Sequence, residues 1–183
     1  MRRLETKIDE VVLLEPDVHG DERGFLVETF RESELPGLGI DVTFVQDNHS
    51  RSTGPVLRGI HMQRGQAKLV RCPRGMIWDL AVDLRPDSPT YRQWEGHELD
   101  GERHRQLFIP PGFGHGFCVL PHDDNDEADV LYRLSSYYDP ELESGVAWDD
   151  PELAIEWPVS DPILSERDRS APSLAEASPN VPD

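Results

Sequence analysis

Lysine is nearly missing from this 183-residue chain: Lys7 and Lys68 face sixteen arginines. A residue this scarce stands out when it falls inside a strand-like run, as Lys68 does. Cysteine is equally rare. Cys72 and Cys118 form no CxxC and no spaced framework, so no disulfide scaffold is expected; the two thiols should be buried, in a reducing compartment. Basic charge is short as well, with 18 basic against 36 acidic residues and a formal net charge of -18. That field repels nucleic acid and anionic membranes, which excludes both as partners. It also repels a small anion unless the binding site carries its own cluster of arginines. Long hydrophobic runs are absent. The opening "MRRLETKIDEVVLLEPDV" starts basic, but its apolar run is four residues long and acids follow, the pattern of neither a signal peptide nor a membrane span. A cytoplasmic protein is expected.

The length suits one domain with a real core, the 37% apolar fraction is sufficient for a globular chain, and sixteen prolines with fourteen glycines argue for many turns. The dominant hydrophobic period is two. Strands are predicted at 25–30, 41–46, 55–62, 67–72, 76–85, 92–99, 105–110, 114–120 and 129–138, separated by turn clusters such as "HGDERG", "CPRG" and "PHDDNDE". Strands at this spacing without long helical patterns predict an all-β antiparallel sandwich, jelly roll or small barrel. Helix is confined to short pieces at 31–35 and 164–168, the second opening at Ser165 as N-cap. Residues 1–172 are read as the single domain. The small, polar, proline-rich stretch 173–183 is read as a tail whose end is poorly ordered.

Two strands carry unusual polar groups. In "MIWDLAVDLR" the even positions from Met76 to Leu84 form an unbroken apolar face. The odd positions hold Asp79, Asp83 and Arg85, either on a solvated face or, for the two aspartates, pointing into a polar cavity. In "LRGIHMQ" a core-like strand holds Arg58 and His61, whose parity is opposite. Both reach one ligand only if a bulge near Gly59 re-aims the chain, or if a partner subunit completes a site for Arg58.

The segments "GIHMQRGQAKLVRCPRG" and "PPGFGHGF" resemble the two motifs of the cupin superfamily, whose fold is a double-stranded jelly roll. The second fits PxGxxH as Pro110, Gly112 and His115. The first lacks the His-x-His of metal-binding cupins and has Lys68 near the place of their carboxylate. Two imidazoles beside an ammonium make a poor divalent-metal site. The same cavity without metal suits proton transfer next to a carbonyl: a histidine removes the α-proton and a lysine stabilises the enolate oxygen. An acid on the opposite face, such as a tyrosine, inverts the carbon on reprotonation. This set suits an epimerase of ketosugars.

The resemblance then narrows. "GDERGFLVETF", "FVQDNHSRS", "VLRGIHMQ", "KLVRCPRG", "DLAVDLRPDSPT", "QLFIPPGFGHGF", "YYDP" and "LSERD" occur in the order and spacing of the dTDP-4-dehydrorhamnose 3,5-epimerase family, which the chain resembles to about position 172. The resemblance implies a cupin-type jelly roll, a homodimer, and neither metal nor organic cofactor. It further implies inversion of C3 and C5 in a dTDP-4-keto-6-deoxyhexose. It assigns His61 as catalytic base, Asp168 as the carboxylate that orients it, Tyr132 as proton donor on the other face, and Lys68 beside the C4 oxygen. Arg23, Glu28, Gln46, Asn48, Arg58, His115 and Glu143 match nucleotide-sugar contacts, and Tyr138 matches the residue stacked on thymine. Arg167 stands where the family has lysine and keeps its charge. Met62 stands where an aromatic is common, a change that bears on that wall of the cavity. Three rivals are a single-centre epimerase at C3 or C5, a metal-dependent cupin, and a sugar-nucleotide-binding module without catalysis.

Overall fold

A computed structural model of the chain describes residues 1–122 and 126–177. Thirteen strands run in chain order among them: β1 (Arg2–Leu4), β2 (Val12–Glu15), β3 (Val18–Asp21), β4 (Gly24–Val27), β5 (Gln46–Thr53), β6 (Leu57–Gln63), β7 (Lys68–Arg74), β8 (Met76–Asp83), β9 (Trp94–Asp100), β10 (Gln106–Ile109), β11 (Phe113–Val119), β12 (Glu127–Leu134) and β13 (Glu143–Gly145). Short 3-10 turns occupy Glu32–Glu34 and Pro36–Leu38, and two one-turn helices, α1 (Glu166–Arg169) and α2 (Leu174–Ala177), close the chain. Among the described residues no helix is long and apolar enough to cross a membrane.

The strands form a six-stranded sheet in the order β1-β2-β10-β7-β12-β5, a five-stranded sheet in the order β13-β6-β11-β8-β9, and a separate β3–β4 hairpin, with antiparallel pairing throughout. The two large sheets pack face to face as the expected cupin-type jelly roll. Between them lie Val70 and Cys72 of β7, Leu107 and Ile109 of β10, Val130 of β12, and Ile77, Ala81, Phe113 and Phe117 from the opposite sheet.

Both sheets are also buried on their outer faces. Met62, Leu80, Val82 and Leu84 lie under the C-terminal segment, against Val146, Leu153, Leu174 and Ala177. Trp78 meets Trp157 edge to face there, with ring centroids 5.2 Å apart. On the other side Val12, Leu14, Leu69 and Phe108 pack beneath Leu35 and Ile40. This two-sided burial explains why "VLLE" lacks an alternating pattern and was not among the predicted strands.

Three boundaries differ from expectation. Residues 41–45 are not strand; Phe44 and Val42 are loop side chains packed on the third cluster. The strand begins instead at Gln46. β5 escapes a hydrophobic-period reading because its inward alternates, from Gln46 to Ser52, are polar, and its full-length pairing with β12 supplies the order. Ser135–Tyr138 turns away from the sheet after Leu134. The packed domain also continues past 172: Leu174 and Ala177 are buried, and Asp150 accepts the Leu174 amide at 2.7 Å. Burying one leucine in this way contributes about 2 kcal/mol. Residues 178–183, the end of the predicted tail, lie outside the described residues.

Candidate active site

The site begins with an irregularity in β6. His61 pairs with His115 across β11, while Arg58 pairs with Phe117, so three steps on β6 oppose two on β11. The extra residue at Gly59–Ile60 is the bulge that was one of the two ways to reconcile the opposite parity of Arg58 and His61, and both line one cavity. Gly59 has φ of +140°, and a Cβ there would meet Gly116 Cα and the His115 carbonyl, so only glycine fits.

The cavity has a volume of about 670 Å³ and opens between the two sheets. Its lining includes His61, Lys68, His115, Tyr132 and Asp168, brought from five elements. His61 Nε2 is hydrogen-bonded to Asp168 Oδ1. Ser165 caps α1 by accepting the Asp168 amide at 3.1 Å, and its hydroxyl donates to Asp168 Oδ2 at 2.9 Å. Burial alone would raise the Asp168 pKa, but the hydrogen bond and charge of His61, with help from Ser165, outweigh it and hold the carboxyl below its ordinary value. With Nε2 committed to Asp168, the ring nitrogen that remains on His61 is Nδ1.

Lys68 is buried, and its Nζ donates to the His61 carbonyl at 3.3 Å. Burial lowers its pKa from 10.5 to about 8; Glu143 and Asp79 oppose the fall and Arg167 adds to it. His115, also buried, bonds through Nε2 to Asp79 Oδ1 at 2.8 Å. Burial draws the His115 pKa down against the pull of Asp79. Asp79 itself is fully buried behind His115 and does not line the cavity, so the solvated-face alternative fails for it. Arg85 is not free on a surface either: it bridges Asp83 and Glu10. Period-two reading cannot separate a charge that faces solvent from one that faces the interior, which is why the burial of Asp79 was not expected.

At the rim, Tyr138 is 53% exposed and its hydroxyl donates to Glu143 Oε2 at 2.8 Å, raising the phenol pKa. The other Glu143 oxygen pairs with Arg167 at 2.9 Å. Arg58 lies along the cavity, anchored to Ser52 Oγ at 3.0 Å. Asn48 lines the wall, and Gln46 stands behind it, donating to Asn48 Oδ1 at 3.0 Å and accepting the Tyr138 amide at 3.0 Å. Gln63 and Gln66 also brace this loop, donating to the Tyr137 carbonyl at 2.9 Å and the Ser136 carbonyl at 3.1 Å.

Arg23 and Glu28, two of the predicted contacts, do not line this cavity. Arg23 sits on the β3–β4 hairpin, paired with Asp21, and Glu28 pairs with Arg31 just beyond it. Met62 is likewise not part of the wall; it is buried in the cluster behind β6. Among the described residues no three His, Cys, Asp or Glu side chains form a group suited to a metal ion.

A double-sheet jelly roll with a carboxylate-held imidazole, a buried amine and a tyrosine around one cavity defines a cupin-like acid–base site. The family model for dTDP-4-dehydrorhamnose 3,5-epimerase matches residues 5–176. The chain is 49% identical over 179 residues to the dTDP-4-dehydrorhamnose 3,5-epimerase of Salmonella typhimurium, covering 95% of this chain and 96% of that one. It is 42% identical over 181 residues to a dTDP-4-dehydrorhamnose 3-epimerase of Streptomyces niveus, covering 97% of this chain and 86% of the other. The crystal structure of an epimerase from Legionella pneumophila in complex with dTDP-4-keto-L-rhamnose superimposes with a TM-score of 0.92 at 44% identity, covering 99% and 97% of the two chains. The chain belongs to the dTDP-4-dehydrorhamnose 3,5-epimerase family.

Proposed function

We propose that the protein inverts C3 and C5 of dTDP-4-keto-6-deoxyglucose, yielding dTDP-4-keto-L-rhamnose, in the cytoplasm and as a homodimer. The observation that carries this reading is the convergence of His61–Asp168, Lys68 and Tyr132 on one cavity. The ketone at C4 acidifies the protons on its neighbouring carbons. His61 Nδ1 takes one of them, the C–H electron pair moves into the ring, and the negative charge develops on the C4 oxygen. Lys68, whose pKa of about 8 lies near working pH, meets that oxygen as an ammonium. Tyr132 then delivers its phenolic proton to the other face of the carbon. The chain is left with an imidazolium and a phenolate, and exchange with solvent resets both before the second centre reacts.

The nucleotide end fits the rim. Arg58 and Arg167 offer guanidinium forks to the diphosphate, the local positive field that a protein of net charge -18 needs. Tyr138, half exposed, stacks on the thymine. The homodimer is supported by the β3–β4 hairpin, which leaves Phe25 62%, Leu26 74% and Val18 40% exposed. A second copy covers this apolar surface and receives Arg23 at its own cavity. Two free, buried thiols are consistent with a reducing compartment.

The test is product analysis after incubation with dTDP-4-keto-6-deoxyglucose. Inversion at both centres is expected. Inversion at C3 alone would place the protein with the single-centre relatives. Binding without any turnover would sink the catalytic reading.

A further inference from the structure

Two imidazole–carboxylate pairs lie side by side at the cavity, both imidazoles lining it. His61 and His115 are direct partners across β6 and β11, and each presents Nε2 to a carboxylate. Asp168 arrives on α1 at the edge of the cavity. Asp79 instead lies inside the sandwich, on a strand whose other inward positions include Ile77 and Ala81. A buried carboxyl with an unpartnered oxygen there is a burden that an apolar residue would relieve. One imidazole holds Oδ1, and Oδ2 accepts no hydrogen bond from the described residues. A charge kept where it weakens the fold points to a task.

Two groups feel this carboxylate. His115 is drawn toward neutrality by burial, and a neutral imidazole that bonds a carboxylate through Nε2 carries its proton there. Its Nδ1 is then an acceptor. Lys68 is the other. Glu143 from β13 and Asp79 from β8 favour its charge electrostatically, and Arg167 from α1 and His115 from β11 oppose it. Glu143 is committed to Tyr138 and Arg167 at the rim. Asp79 is the carboxylate sealed beneath.

We infer that Asp79 is a positioning residue of the proton-transfer site, its fully buried carboxylate fixing the tautomer of His115 and keeping Lys68 an ammonium for the enolate oxygen. The inference rests on reading the cavity as the epimerase site, but its readouts do not need substrate. With only two lysines in the chain, lysine labelled with 13C at Cε gives two signals, and Lys68→Arg assigns them. Lys68 should titrate near pH 8 in the free protein. In Asp79→Asn its midpoint should fall by at least ~0.5 pH unit while Lys7 stays put. In turnover, kcat should drop about tenfold or more with KM changed less than about threefold, and the basic limb of the pH profile should move with Lys68. An unmoved Lys68 midpoint overturns the inference. Should the variant fail to fold, 15N-imidazole spectra of the unaltered protein decide, with His115→Gln for assignment. The Nε2–H tautomer of His115 is required, and the Nδ1–H tautomer refutes it. Absence of epimerase activity would sink the functional reading and leave these spectra untouched.

Discussion

Replacing Lys68 with methionine separates what the cavity needs from what the fold prefers. The lysine is 9% exposed, and burial is the leading cause of its pKa falling from 10.5 to about 8. A fall of that size corresponds to about 3 kcal/mol of stability lost at neutral pH against an unfolded chain with a hydrated lysine. Methionine fills a similar volume without charge. What it forfeits is the hydrogen bond to the His61 carbonyl at 3.3 Å, worth about 1–2 kcal/mol. Lys68→Met should therefore be about 1–2 kcal/mol more stable than the parent at pH 7, and inactive. The pH dependence has a definite sign, because the folded pKa lies below the unfolded one. Between about pH 8 and 10.5 the unfolded parent binds more protons than the folded one, so parental stability rises across that window and the gap to the variant closes. Urea denaturation of both proteins from about pH 7 to about pH 10.5, beside a turnover assay, reads all of this. A variant less stable at pH 7, or a gap that stays constant across the window, would refute the reasoning.

Three further outcomes follow from the geometry. Asp168→Asn puts an amide against His61 Nε2; an N–H donated there drives the imidazole proton onto Nδ1 and removes the basic lone pair. By analogy with the same change in a serine-protease triad, kcat should fall by about 10³–10⁴ with little change in KM, and near-parental kcat would contradict the assigned role. Gly59→Ala should destabilise by roughly 2–4 kcal/mol and slow turnover, because a side chain at φ of +140° meets β11 and displaces His61; a thermal melt matching the parent would argue against the bulge. Asp83 is fully buried, and although burial raises its pKa, bonds from Arg85, Ser88 and Thr90 bring it from 3.8 to about 2. Its contribution of about 2 kcal/mol is present above pH 3.8 and lost as pH falls through about 2, so Asp83→Asn should be weaker at pH 7 and converge with the parent in acid.

The jelly roll was legible because most strands keep a period of two between turn clusters, and the site because its residues sit in dense motifs. A single conflict of parity, Arg58 against His61, offered a bulge or a partner-completed site for Arg58, and the register across β6 and β11 shows the bulge. What stayed hidden has a common physical cause. β5 presents polar side chains to the cavity, β2 is buried on both faces, and Asp79 points inward from a strand that looked half solvated. Hydrophobic alternation reports only a boundary between oil and water, and a polar cavity inside a barrel mimics solvent. Arg23 and Glu28 expose a different gap: a motif states that a residue matters, not where the fold places it, and here both pair locally outside the cavity.

The central claim is that proton removal and proton return occur from opposite faces, by His61 and Tyr132. Deuterium incorporation at C3 and C5 in D2O, compared for the parent, His61→Ala and Tyr132→Phe, tests it most directly. The account predicts exchange with inversion in the parent, no exchange in His61→Ala, and exchange without inversion in Tyr132→Phe, since the base alone can return a proton only to the face it came from. Inversion at the parental rate in Tyr132→Phe, or exchange persisting in His61→Ala, would contradict it.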